Sequence, residues 1–242
     1  EYDDVALGSP LFSPDSKHVA YVAKLGDKAV LVVDDVEGKP HDSVGMPEYS
    51  PDSKRLAYPA ARDKQRFIVL DGQEQAAYDI AGNPTFSPDS KRFAYRAGRG
   101  RHTFVVLDGK ELPPHDVISD NSMTFSPDSK RFAYAARRVA PATAPADGSP
   151  RVAGGSTVVV DGVAGKEYTS LISTPVFSPD SKHLVYVARN DRQSVLVVDG
   201  QEFGSFDMLV LGSRIVWDSP TTFHVLMLRD DVVYRVEGSL QE

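Results

Sequence analysis

Short apolar runs separated by polar turn segments follow one another along the chain on a regular beat. One set of runs, Val30–Val33, Phe67–Leu70, Phe104–Leu107, Val158–Val160 and Val195–Val198, is apolar at every position. Such continuous runs, rich in β-branched and aromatic residues, predict strands buried on both faces. Each is preceded by a more mixed run, such as His18–Ala23 or Arg92–Tyr95, which follows directly on the phrase Ser-Pro-Asp-Ser-Lys. With its leading aromatic, that phrase starts at Phe12, Tyr49, Phe86, Phe125 and Phe177, at spacings of 37, 37, 39 and 52 residues. A period near 40 residues marks a repeat architecture. Units built only of strands point to sheets stacked around an axis, a β-propeller, rather than to a helical solenoid.

Shifting the fifth unit by 40 residues places Trp217 on Phe177, Asp218 on Ser178 and Val225 on Val185, which reveals a sixth unit whose turn has decayed. Its strands are predicted over Thr222–Leu228 and Val232–Val236. Each unit also carries an aromatic or His residue, usually before Asp, at His41-Asp42, Tyr78-Asp79, His115-Asp116, Tyr168-Thr169 and Phe206-Asp207. We read these dipeptides as outer strands, and Tyr2-Asp3 at the N-terminus supplies the sixth. The expectation is an all-β, six-bladed β-propeller of four-stranded antiparallel blades, one domain over residues 1–242. The N-terminal strand completes the last blade beside Val232–Val236, and this closure removes the sheet edges an open array exposes. The longest unit holds an insertion over about Arg137–Ser156, whose Ala, Pro and Gly content predicts an extended segment.

The repeated Phe-Ser-Pro-Asp-Ser-Lys turn resembles that of the TolB-type, WD-repeat-like bacterial propellers, in which Gly or Ser precedes the Lys, and the resemblance runs from about Tyr2 to Glu237. It implies a periplasmic or secreted interaction module within a larger envelope complex. Similar propellers also precede the hydrolase domain of prolyl-oligopeptidase-like enzymes. The chain begins with Glu1 rather than Met, which suits a mature product whose leader was removed or a trimmed chain.

Chemistry-bearing residues are mostly absorbed by the repeat. Ser-Pro-Asp-Ser is read as a tight type I turn in which the Asp binds local amides, and the pairs Asp71-Gly72, Asp108-Gly109, Asp161-Gly162 and Asp199-Gly200 as hairpin turns. His18 and His183 fill a slot held elsewhere by Arg55, Arg92 and Arg131, and His41 and His115 one held by tyrosines, so neither slot is a metal-ligand slot. With His102 and His224 unpaired in sequence and no cysteine in the chain, no metal site is expected. Around the axis, Glu48 and Asn83 are too few oxygen ligands for calcium. No nucleophile elbow, phosphate loop or calcium loop is present, and no enzyme or cofactor is expected.

Charge carries the functional expectation. The loops joining second to third strands are read as Lys24–Lys28, Ala61–Arg66, Arg96–His102, Arg137–Ser156, Arg189–Gln193 and Leu228–Asp231, and together they carry +8. The whole chain carries −7, so the rest holds about −15, much of it at residues such as Asp42, Glu74, Asp79, Glu167 and Asp207. One basic face on an acidic body predicts a binding scaffold for an acidic protein surface. The contact residues are Arg62, Lys64, Arg66, Arg96, Arg99, Arg101, Arg137, Arg138, Arg189 and Arg192. The net charge argues against nucleic acid, and no apolar run is long enough for a membrane-spanning helix. Two alternatives stay open: a carbohydrate or small-ligand binder using the channel or blade pockets, and a propeller separated from a larger hydrolase.

Overall fold

The computed structural model describes residues 2–5, 10–119, 121–138 and 154–240, so residues 139–153 of the expected insertion lie outside the described residues. Every regular element among the described residues is a strand, and the strands form six antiparallel sheets. The chain divides into two compact units, Glu1–Pro114 and His115–Glu242, each holding three sheets. Among the described residues no helix is long and apolar enough to cross a membrane.

The second sheet shows the common plan. Two short inner strands, Ser43–Val44 and Glu48–Tyr49, pair with Leu56–Arg62, which pairs with Gln65–Leu70, and Gln73–Glu74 forms the outer edge. The continuous apolar runs are buried on both faces as expected: Val30, Leu31 and Val32 in the first sheet, and Phe104, Val105 and Val106 in the third. In the first unit, Leu31 and Val22 pack against Tyr58, Phe67 and Val69, and Ile68 and Ala57 against Tyr95, Phe93 and Phe104. In the second unit, Val158 and Ala133 meet Tyr186 and Leu184, while Val187 and Leu196 meet Val225, Phe223 and Met227. Sheet stacking in each unit thus follows from strands with no polar face to offer water.

The Asp-Gly pairs are hairpin turns. Asp71 and Gly72 both take positive φ (52° and 77°), as do Asp108 and Gly109 (51° and 77°), the two-residue turn whose twist matches that of the strands it joins. Asp71 also clamps the start of the second strand: Oδ1 accepts the Leu56 amide (3.0 Å) and Oδ2 the Arg55 Nε–H (2.9 Å). His18 and His183 reach Asp34 and Asp199 from the same slot, at 2.6 and 2.7 Å.

The Ser-Pro-Asp-Ser turn is equally structural. Ser50 Oγ donates to Asp52 (2.7 Å) and accepts the Arg55 amide (3.0 Å), Asp52 accepts the Lys54 amide, and the Ser53 amide closes the turn on the Ser50 carbonyl. The serine hydroxyls and following amides hold Asp15, Asp52, Asp128 and Asp180 below the usual carboxylate range. The second serine sits at φ between 60° and 67° in all five copies, a left-handed backbone that favours glycine. Its hydroxyl explains why serine stands there. Ser53, Ser90 and Ser181 each accept the amide of the Asp one turn earlier: Asp15 (3.0 Å), Asp52 (3.0 Å) and Asp128 (2.9 Å).

The expected closure is corrected by the pairing. Asp4–Val5 joins the first sheet, with Asp4 opposite Lys24 and Val5 opposite Ala23, and among the described residues it does not pair with Val232–Val236. The aromatic-Asp dipeptides end the outer edge and begin the crossover to the next sheet: Phe206 closes the outer strand Gln201–Phe206, and His41, Tyr78 and Tyr168 each bridge the third strand singly. His41 exchanges two hydrogen bonds with Ala29 on the third strand of one sheet (both 2.9 Å), and Asp42 then donates its amide to Ala61 in the next. The outer strands begin after the Asp-Gly turns, at Gln73–Glu74 and Lys110–Glu111, and in the fifth sheet Gln201–Phe206 runs on as far as the dipeptide. The dipeptide is a crossover, so Tyr2-Asp3 sits at the entry to the first sheet, with the Tyr2 ring edge-on to Tyr21.

Replacing Ser90 by Ala removes the acceptor for the Asp52 amide while keeping the left-handed backbone, and should cost about 1 kcal/mol. Replacing it by Gly loses the same bond but relieves the backbone, and should recover part of that loss, roughly 0.5–1 kcal/mol. Denaturant unfolding of both variants checks the pair; an Ala variant as stable as the parent would show that the hydroxyl link carries nothing.

Candidate interaction face

The connections between second and third strands are tighter than the sequence suggested. Strands run on to Arg62, Arg99 and Asn190 and resume at Gln65, His102 and Gln193, leaving two-residue hairpins at Asp63-Lys64, Gly100-Arg101 and Asp191-Arg192. The first residue of each has positive φ. Asp or Gly at that point is the local signal for such a hairpin.

Four of the hairpins are capped by an acid from the crossover dipeptide. Asp42 accepts the Asp63 amide (2.8 Å), Asp79 the Gly100 amide (2.7 Å) and Asp3 the Gly26 amide (2.7 Å), while in the second unit Asp207 accepts the Asp230 amide (2.8 Å). Thr169 Oγ1 does the same for Asp191. Asp42 also binds the Lys28 ammonium (2.6 Å), which holds its carboxyl below the usual range and in turn raises Lys28.

Where a second strand ends in arginine, at Arg62, Arg99, Arg138 and Arg229, that arginine is engaged within its own unit. Arg99 makes a two-pronged bond to Glu111 (2.8 and 2.7 Å) and lies over the rings of Tyr78 and Phe104, 4.8 and 5.4 Å from their centres. Arg62 pairs with Glu74 and covers Phe67, and Arg138 pairs with Glu167 (2.7 Å). The guanidinium groups hold Glu74 and Glu111 below the usual carboxylate range. Beneath this layer the crossover rings are buried. His41 packs against Tyr58 and Phe67, and burial pushes the Tyr78 and Tyr95 hydroxyls up. The Arg-to-Glu spacing of 12 residues recurs at Arg62–Glu74 and Arg99–Glu111, with Asn190–Glu202 repeating it with an amide in place of the arginine, and that periodicity is the sequence signal for the pairing.

The expected contrast between a basic face and an acidic body is therefore corrected. Asp42, Asp79, Asp207, Glu74 and Glu167, assigned to the body, bind the hairpins or their flanking arginines, because the crossover and the outer strand both end beside the hairpin. Of the ten predicted contact residues, Arg62, Arg99 and Arg138 are held in ion pairs. Arg189 donates to the Asp207 carbonyl (3.0 Å), and Arg96 lies within a strand, paired with Gly82 and Val105. Lys64, Arg66 and Arg101 in the first unit, and Arg137 and Arg192 in the second, are exposed and make no side-chain ion pair among the described residues. Lys64, Arg101 and Arg192 occupy hairpin tips, Arg66 lies one residue past a tip, and Arg137 sits near the end of Phe132–Arg138.

Arg99→Glu should lower the melting temperature, since it sets an acid against Glu111 and uncovers two rings, whereas Arg101→Glu should melt like the parent. Thermal unfolding of the two single variants decides this; equal melting would mean that Arg99 is as solvated as its neighbour.

No protein-family model and no curated protein sequence matches the chain. Among solved structures it is similar to the β-propeller domain of the Trilobed protease from Pyrococcus furiosus, at 13% identity over 100% of this chain and 83% of that one, with a TM-score of 0.51. TolB from Acinetobacter baumannii aligns at 20% identity over 83% of this chain and 53% of its own, with a TM-score of 0.42. Pyrococcus horikoshii acylaminoacyl peptidase aligns at 11% identity over 100% and 46%, with a TM-score of 0.44. The chain thus spans about half the length of TolB and of that peptidase. Six antiparallel sheets on one repeated plan, together with the likeness to the Trilobed protease domain, show that the chain has a β-propeller fold.

Proposed function

We propose that this propeller is a non-enzymatic binding scaffold that holds an acidic protein surface on its hairpin tips. The observation that carries this reading is the split among the cations of the hairpin face. In the first unit Arg62 and Arg99 are consumed by glutamates, while Lys64, Arg66 and Arg101 stand exposed without an ion pair among the described residues. Two-residue hairpins capped by carboxylates hold those cations on a stiff support, so little ordering cost is added on binding. Guanidinium groups suit carboxylate partners through paired hydrogen bonds. The repeated serines and aspartates are engaged in turns, which supports reading them as structural rather than catalytic. The resemblance of the repeated turn to envelope propellers supports a periplasmic or extracellular setting.

A second reading is that the chain forms the propeller lobe of a larger protease-type protein, favoured by its similarity to the Trilobed protease domain. Immunoblotting of the native host separates the two: a band much larger than a 242-residue chain supports the lobe.

Changing Lys64, Arg66 and Arg101 together to Glu should leave the melting profile intact. Binding to an immobilised polyglutamate surface, used as the acidic probe, should fall about tenfold or more, and its salt dependence between roughly 50 and 200 mM should flatten. Parent-like binding and salt response in the folded triple variant would place the interface elsewhere.

A further inference from the structure

The last sheet differs from the others at its rim. In each of the first five sheets the third strand is covered by an outer strand, as Gln65–Leu70 is by Gln73–Glu74. In the sixth sheet the third strand, Val232–Ser239, pairs only with Thr222–Arg229 among the described residues. It is also the longest third strand, at eight residues, and three successive apolar residues on it are exposed: Val232 (50%), Val233 (55%) and Tyr234 (43%). An open edge of this kind is a template for another strand.

Which backbone groups face the opening follows from the repeat. The hairpin ends Leu25 opposite Lys28 and Arg229 opposite Val232 correspond, so Val233 matches Ala29 and Arg235 matches Leu31. Ala29 exchanges two bonds with His41, and the Leu31 carbonyl accepts the Gly38 amide, both across the outer edge. The unused donors and acceptors on the last strand therefore belong to Val233, Arg235 and Glu237. The side chains of Arg235 and Glu237 share one face and bind each other (3.0 Å), and Arg235 also lies 3.7 Å from Asp218. Like charges on an edge repel a second strand; one charge of each sign, two residues apart, does not.

We propose that the edge Val232–Ser239 pairs with the same edge of a second copy of this chain, antiparallel and centred on Val236. This register sets Arg235 of each copy opposite Glu237 of the other, and it places Tyr234 opposite Gly238, where no side chain obstructs the ring. Centring the pair one residue earlier sets the two Arg235 guanidinium groups against each other, so charge selects the register. The exposed valines and Tyr234 are then covered by the added strand. The pairing is independent of the hairpin-tip reading, since it uses none of those cations.

Sedimentation velocity of the 242-residue chain between about 1 and 300 µM, the range of weak to moderate association, should show a concentration-dependent dimer. Arg235→Glu and Glu237→Arg should each weaken the dimer about tenfold or more, and the two together should restore it to within about threefold of the parent. Val233→Pro should also abolish it while keeping the sheet, because the Val233 N–H points to the open edge and bonds nothing in Thr222–Arg229. Circular dichroism melting of each variant confirms the fold, and the charge exchange stands as the test should the proline variant melt early. A monomer over the whole range, a dimer indifferent to Arg235→Glu, or a double exchange that fails to restore pairing overturns the proposal.

Discussion

The crossover dipeptide is the joint on which each unit depends. In two residues it fastens three things: the ring-bearing residue bridges the third strand of one sheet, the next amide joins the following sheet, and the carboxylate caps that sheet's hairpin. His41-Asp42 does all three, at Ala29, Ala61 and Asp63. Tyr78-Asp79 repeats it at Arg66, Gly98 and Gly100. A backbone passing between two buried sheets must satisfy its own polar groups on the way. This segment does so with no spare residue, which is why the repeat tolerates His, Tyr or Phe for the ring but seldom replaces the acid.

The same joint shapes the chemistry of the surface. By bringing a carboxylate to four of the hairpins, it cancels much of the positive charge that the hairpin residues carry. The outer-strand glutamates engage the arginines that remain close to the sheet. What is left is a small set of cations at the hairpins, held by short backbone connections rather than long loops. The last strand of the sixth sheet shows the converse. With no crossover and no outer strand on it among the described residues, its edge keeps unused backbone groups and apolar side chains in solvent.

Much of the fold was legible in the sequence. The Phe-Ser-Pro-Asp-Ser-Lys period located every repeated turn, the continuous apolar runs located the doubly buried strands, and the Asp-Gly pairs located the outer hairpins. His41, Tyr78, Tyr168 and Phe206 do sit on the outer edge, but the crossover that follows them is hidden in the sequence, because an aromatic beside an Asp has the same local look in either role. Only the partner of the following residues, Ser43–Val44 with Leu56–Arg62, separates them, and that pairing is non-local. The charge pattern failed for a related reason. Arg99 and Glu111 stand 12 residues apart in sequence yet touch in space, so summing charges by segment divides an ion pair between two surfaces. The reason for serine at a glycine-like backbone position was likewise hidden, since its bond runs to a turn some 38 residues earlier.

The crossover acts as one fastening rather than as independent bonds. Amide hydrogen exchange in the Asp79→Ala protein tests this most directly. Faster exchange is expected at Gly100, which loses its acceptor, and also at Tyr78 and Arg66, whose mutual bonds belong to the same joint, while the Lys91 amide, bound to Asp89 in its own turn, keeps its protection. Acceleration at Gly100 alone, with Tyr78 and Arg66 exchanging as in the parent, would contradict the account.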